Sequence, residues 1–471
     1  MSRELDLLDK SISPRRMVLL LTWPTMIEQL LQIMVNYVDT AMVGSIGVQA
    51  TASIAVVTST VWVIGGLMMG LGVGFSVLSA RYIGNREIEE AKEVVRQSLI
   101  CMLLVGAALT VIVEFLLAPN ISTWMGADES IKADSTNYFR IIGSVYVFDM
   151  FLFIGGSIIR SAGNTKSPMV YNIINNVVNI IGNFIFIYKP NTYDVFGMKI
   201  HVWGAGLGVE GAAIGTVMGA VVAGSLMLSG ILNKNSLIAI SLKDKYVIRW
   251  DVMKEVLFLG IPASMERIII SGGQLVVTGL ATGLGTSILA AHQLANTAES
   301  ICYMPVFAFG LSATTLVAQS LGSGDKVLAR KYAHECIGQG VCLMLVSAVL
   351  LYTFAPQLMS IFIRDTGVIA AGAAVLRIQA FAEPCVAIAT VVSGVLRGSG
   401  DTKGPFYIAI VGMWVVRITM AFIMIRFFGV GLEGIWIPMA CDWTARAVIC
   451  LLRMKSGRWL SNWDVRKKEE D

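Results

Sequence analysis

Four polar residues in the first long apolar stretch, Glu28, Gln32, Asn36 and Asp39, are separated by four, four and three positions. At 3.6 residues per turn that spacing puts all four on one face of a helix. The stretch "YNIINNVVNIIGNF" repeats the device with Asn172, Asn176, Asn179 and Asn183. A carboxylate in a low-dielectric setting is a group that trades a proton or a cation for something else, while amide carbonyls are hard-cation ligands that do not titrate. The chemistry offered is cation coordination or proton exchange, with Asp39 as the titrating group. An Asn row also suits hydrogen bonds between neighbouring helices, which is the reading taken for Asn172 and Asn176.

Polar rows of this kind need long apolar elements to hold them. The chain has 471 residues, 55% hydrophobic and 14% charged, with a mean hydropathy of +0.71, far from the balance of a soluble domain. Apolar stretches near the roughly 20 residues that span a bilayer recur from end to end. About twelve fit, from residues 15–43 to 430–453, leaving almost nothing for a soluble domain. The expectation is an all-α integral membrane protein. The N-terminal "MSRELDLLDKSISPRR" is polar and amphipathic, without the apolar core of a signal peptide, so the first span is expected to be retained.

Lys and Arg separate the loops into two classes. Arg15, Arg16, Arg81, Arg86, Arg160, Lys166, Lys326, Arg330, Arg397, Lys403 and the tail "RMKSGRWLSNWDVRKK" fall on one side, and only Lys132, Lys189, Lys199 and Arg364 on the other. By the positive-inside rule both termini are expected in the cytoplasm, which requires an even number of spans across a cell (inner) membrane. Seven cysteines stand singly and are expected to be free thiols. There is no GxxxxGK[ST], HExxH or GxSxG, so neither direct nucleotide drive nor an enzyme is expected.

The chain is written twice. "RSAGNTKSP" (160–168) returns as "RGSGDTKGP" (397–405), Pro24 and Glu28 pair with Pro262 and Glu266, Gly84 pairs with Gly322, and Glu210 pairs with Glu433. The offset shrinks before the last pair because the first half carries a loop about fourteen residues longer around "KPNTYDVFGMKIHVWG". Each half reads as about six helices entering from the same side, a parallel repeat of the kind transporters use. The expected division is an N-terminal bundle (1–235), a cytoplasmic linker (236–250) and a C-terminal bundle (251–471). The doubled loop is read as topological: its glycines permit a tight reversal, its basic residues sit at the headgroups and its Pro starts the next helix.

"VDTAMVG", the doubled loop, "GVEGAAIGT" and "AAHQLANTAESICYMPVFAFGLSATTLVAQSLG" resemble the multidrug and toxic compound extrusion (MATE) transporters over nearly the whole chain. The resemblance implies two pseudo-symmetric six-helix bundles and a cation-coupled antiporter, driven by H+ or Na+, that exports organic cations or amphiphilic drugs by alternating access. It implies no cofactor beyond the coupling ion, and no nucleic acid or obligate protein partner beside the substrate and the bilayer. A lipid-linked saccharide flippase of the same superfamily is the alternative, set lower because the deep charges read as mainly acidic. In the family, an acid matching Asp39 works in the N-lobe cation site, and a Thr matches Thr216. The DinF branch follows its fifth-span Asn with an Asp four residues later. Here those positions are Asn179 and Asn183, so one carboxylate is missing and a Na+ would meet Asp39, Asn179, Asn183 and Thr216. The NorM branch places further acids in the seventh and tenth spans, where this chain has Glu266 and Glu383. Gln274 continues the Glu266 face, and an interfacial ion pair is the competing reading of Glu266.

Overall fold

The computed structural model describes residues 5–195, 198–241 and 243–463. Among the described residues, ten helices are long and apolar enough to cross a membrane: α1 (Pro14–Gly44), α2 (Val48–Gly84), α3 (Ile88–Trp124), α5 (Lys166–Ile187), α6 (Val209–Ile231), α7 (Trp250–Thr282), α8 (Thr286–Gly322), α9 (Lys326–Phe362), α11 (Lys403–Arg426) and α12 (Glu433–Lys455). Two bent pairs complete the set of up to twelve, α4 (Glu129–Gly143 with Tyr146–Ser161, 53°) and α10 (Thr366–Ala380 with Glu383–Gly398, 54°). The chain is thus a multi-pass membrane protein whose membrane-spanning elements are all helical. The structure bends both the fourth and the tenth span. In α10 the second arm opens with Pro384, whose missing N–H suits a helix start and not a helix middle. In α4 the break is at Val145, whose backbone leaves the helical region with φ −114° and ψ 14°.

The extra loop of the first half is a hairpin, β1 (Asn191–Val195) antiparallel to β2 (Met198–Val202), in register from Asn191↔Val202 to Val195↔Met198. The described residues form two compact units. The first holds 31–79 and 88–254, the second 6–30, 80–87 and 255 onward, so the start of α1 and the end of α2 belong with the second unit and not with the half they are written in. The 236–250 segment is packed, not loose: Ile238 and Ile240 are buried. Gln97 on α3 donates to the Val247 carbonyl at 2.6 Å and accepts from the Arg249 amide at 3.1 Å.

Within the second unit, the end of α2 crosses the end of α8 backbone to backbone. A Cβ on Gly84 would overlap the Gln319 carbonyl, and a Cβ on Gly322 would overlap the Arg81 carbonyl. Gly84 and Gly322 are repeat partners, as are Arg81 and Gln319, so the crossing is reciprocal. The doubled loops are built alike too. Gly163 and Gly400 take positive φ (83° and 79°), a left-handed turn that glycine adopts without strain. A chain end covers each one: the Leu5 carbonyl lies against Gly163 and the Trp463 ring against Gly400. Beside the α8–α9 turn, Asp325 caps α9 by accepting from the Leu328 amide at 2.9 Å, and Lys10 sits 3.2 Å away. That amide bond, with Lys10 adding to it, holds the Asp325 carboxyl below the usual carboxylate range, so the cap persists at every pH above that range.

Gly84→Val is expected to destabilise the protein by about 3 kcal/mol or more, because the atom it meets is main chain and cannot turn aside. Gly279→Ala, where an added methyl meets open space, is expected to leave the melting temperature in detergent within about a degree of wild type or slightly above it. Differential scanning fluorimetry of both variants decides.

Candidate cation-binding sites

In the first unit, glycines decide how close α5 and α6 come. α6 presents Gly211, Gly215 and Gly219, four residues apart, and a Cβ on any of them would strike α5: Phe186 and Ile187, then Asn183, then Asn175. On α5, Gly182 meets Gly215. A small-residue stripe of this kind lets two membrane helices touch through their backbones. It also fixes where the α5 amides sit.

Those amides make a chain of hydrogen bonds. Asn183 donates through Nδ2 to Asp39 Oδ1 at 2.7 Å and more distantly to Asn179 Oδ1 at 3.4 Å. Asn179 donates to Thr216 Oγ1 at 3.1 Å, and Thr216 donates to the Ala212 carbonyl at 3.1 Å. Asn179 and Asn183 are buried and Asp39 half-buried. Val43, Ala50, Ile187, Val209 and Ala212 form an apolar cluster beside this chain, with Tyr138 and Tyr188 packed on it. Asn183 Oδ1 is buried without a hydrogen-bond partner among the described residues, on the side facing Gly215. Asp39, Asn179, Asn183 and Thr216 are therefore brought together. Gln32 and Asn36, earlier on α1, are exposed. Glu28 is buried in the part of α1 that belongs to the second unit. Asn172 donates to the Pro168 carbonyl on its own helix at 3.0 Å.

In the second unit, Glu266 accepts from Arg397 Nη2 at 2.7 Å, an ion pair to the doubled loop. Gln274 is half-buried farther along α7. Glu383, at the bend of α10, is fully buried, and neither of its carboxylate oxygens has a hydrogen-bond partner among the described residues. Glu299 on α8 is buried close enough for the two charges to repel. Next to them is a group absent from the sequence reading. Asp442, fully buried on α12, is 2.8 Å from Arg417 Nε and 2.9 Å from Arg446 Nη2, and Arg446 Nε also donates to it. Trp443 lies against both guanidiniums, with ring centroids 5.8 and 5.1 Å away.

The buried charges of this unit are mainly acidic, as the sequence suggests: Glu28, Glu266, Glu299, Glu383 and Asp442 stand against two buried arginines, Arg417 and Arg446. Both are committed to Asp442, so they do not supply the open cationic wall that a pyrophosphate headgroup would require. The Asp442–Arg446 pair was readable as an i, i+4 spacing on one helix. Arg417 was hidden because α11 is wide-turned over Val411–Ile418, and that shift rotates the face a regular helix would present. Counting charge, Arg417 and Arg446 balance Asp442 and Glu299, and Glu383 is left over. Burying an unpaired carboxylate costs several kcal/mol, so neutrality at Glu383 calls for a proton or a cation. His292, by contrast, is a packing residue: it accepts from Trp436 Nε1 at 3.1 Å.

The MatE family model matches residues 24–185 and again 262–423, the two halves of the repeat. The chain is 26% identical to the "Probable multidrug resistance protein NorM" of Thermotoga maritima, over 94% of this chain and 93% of that one. It is 25% identical to the "Uncharacterized transporter YisQ" of Bacillus subtilis, over 93% of this chain and 94% of that one. Its fold matches a solved structure described as the outward-facing conformation of a multidrug resistance MATE family transporter of the MOP superfamily. The TM-score is 0.88 and the identity 22%, covering 98% of this chain and 99% of the other.

The charge count at the second site is testable without any transport assay. Asp442→Asn leaves two buried guanidiniums facing Glu299 alone and is expected to cost about 3–5 kcal/mol. Glu383→Gln removes the surplus charge and is expected to leave the melting temperature unchanged or raised. A loss for Glu383→Gln as large as that for Asp442→Asn would mean that Glu383 has a counter-charge after all.

Proposed function

The chain belongs to the MATE family of membrane transporters, and on that footing we propose that it is a proton-coupled antiporter exporting organic cations or amphiphilic drugs from the cytoplasm by alternating access. The observation that carries the reading is the bond from Asn183 Nδ2 to the Asp39 carboxylate, deep in the first unit. An N–H donor stabilises the ionised carboxylate. A proton arriving at Asp39 removes the charge that makes this bond strong and weakens the tie between α1 and α5. Loss of the proton restores it. One site thus has two arrangements that differ by a single proton, which is what an alternating-access cycle needs to be driven.

Sodium is the second reading, and the same geometry sets it lower. For Asn183 to ligate Na+, its Oδ1, now turned to Gly215, would have to replace Nδ2 beside Asp39. Asn179 Oδ1 and Thr216 Oγ1 would complete the set. Glu383 is proposed as a further coupling group in the second unit, on the charge count above. Each inward proton gains about 2.3 kcal/mol per 100 mV of membrane potential, so one or two suffice for useful accumulation ratios. A drug-like substrate is carried over from the name of the Thermotoga relative. The basic loops support a cell (inner) membrane with both termini cytoplasmic. The two units, approximating an N-lobe (1–235) and a C-lobe (251–471) but with the start of α1 and the end of α2 in the second, are the proposed moving parts.

Inverted proteoliposomes holding the purified protein, a fluorescent organic cation and an imposed H+ or Na+ gradient supply the test. Uptake is expected under the H+ gradient and not under the Na+ gradient alone. Asp39→Asn is expected to reduce it at least tenfold, and Glu383→Gln to reduce it without unfolding the protein. Transport driven by Na+ alone, or an unimpaired Asp39→Asn, would overturn the proton reading.

A further inference from the structure

A cleft of about 460 Å³ lies apart from both acid sites, where α11 begins and α12 ends, next to the short 3-10 turn Arg458–Ser461. All of its residues belong to the second unit. Its one acid, Asp401, is already satisfied, accepting from the Gly404 amide at 2.9 Å and from Arg453 Nε at 2.6 Å. The two terminal nitrogens of Arg453 have no acidic partner among the described residues. Arg458, also on the lining, is exposed and has no acidic partner among the described residues. The lining therefore carries one positive charge more than it neutralises.

Below the charged rim the wall is apolar. Tyr407 and Leu452 are 61% and 63% exposed on the outer faces of membrane helices, so they face acyl chains, and Ile408 lies beside them. Trp459 closes the end of the cleft as a fixed wall, buried, with Nε1 donating to the Met454 carbonyl at 3.1 Å. Gly404 keeps the mouth open, because a Cβ there would meet Arg453 Nε and the Asp401 carboxylate. An anion-seeking rim at the end of two membrane helices, above an apolar wall and beside an interfacial Trp, has the chemistry of a phospholipid site.

We propose that this cleft holds an anionic phospholipid of the surrounding leaflet, its phosphate on Arg453 and Arg458 and an acyl chain along Tyr407, Ile408 and Leu452. The site is independent of the coupling ion and of the transported substrate. Arg458 makes no ion pair among the described residues, so changing it tests the site with little disturbance to the fold.

The experiment is native mass spectrometry of the full chain released from nanodiscs of equal phosphatidylglycerol and phosphatidylcholine. Wild type is expected to retain one phosphatidylglycerol in preference to phosphatidylcholine. Arg458→Glu is expected to lower that retention at least fivefold, since one basic residue near the surface is worth about that factor. Lys132→Glu, in a different loop, is expected to change nothing. Equal retention of the two lipids, or unchanged retention in Arg458→Glu, overturns the proposal. So does displacement of the lipid by millimolar glycerol phosphate, which would mean a site for a free phosphate. Binding that appears only after residues 464–471 are removed would overturn it too, by making the chain's own tail the occupant.

Discussion

A carboxylate inside a hydrocarbon layer has to be neutralised or solvated by the protein itself, and the arrangement of this chain follows from how it meets that demand. The two halves meet it differently. In the first unit, Asp39 leans on neutral amides and a hydroxyl, through Asn183, Asn179 and Thr216. In the second, acids and arginines are buried together, with Asp442 held between Arg417 and Arg446. The amide solution puts neutral donors, not a fixed opposite charge, against the carboxylate. The arginine solution fixes most charges in place and concentrates the remaining imbalance on Glu383.

Neither solution works unless the helices come closer than side chains normally allow. On α6 the stripe Gly211, Gly215 and Gly219 brings the Asn residues of α5 against the backbone. On α11, Gly412 does the same for the ionic group, since a Cβ there would strike Asp442 and Arg446. Polar side chains in a membrane must be held to a fraction of an ångström to stay paired, and a missing methyl group is the means of bringing their partners near.

Most of the fold was legible from the sequence because hydropathy reports spans directly and the doubled motifs report their order. The bend in α10 had a visible cause in Pro384, while the bend in α4 at Val145 had none, being set by packing. The first site was half legible: spacing put Asp39 on the polar face of α1 and Asn179 and Asn183 on that of α5, and the contact between those faces required the structure. Spacing alone also placed Gln32 and Asn36 with Asp39, yet both are exposed. Glu299 does continue a polar stripe, after His292 and Asn296 at spacings of four and three, but its burial beside Glu383 required the structure. The partner of Glu266 lies 131 positions away, in a loop that spacing on α7 could not reach.

The crossing of α2 and α8 has a consequence for how the chain can change over time. At most contacts a substitution on one helix can be answered by a smaller or larger residue on the other. Where Gly84 meets the Gln319 carbonyl and Gly322 meets the Arg81 carbonyl, the partner is main chain, which no substitution can shrink. The two copies of the repeat have drifted far enough to adopt opposite chemistries for their buried charges. At this crossing each half holds the other to a glycine.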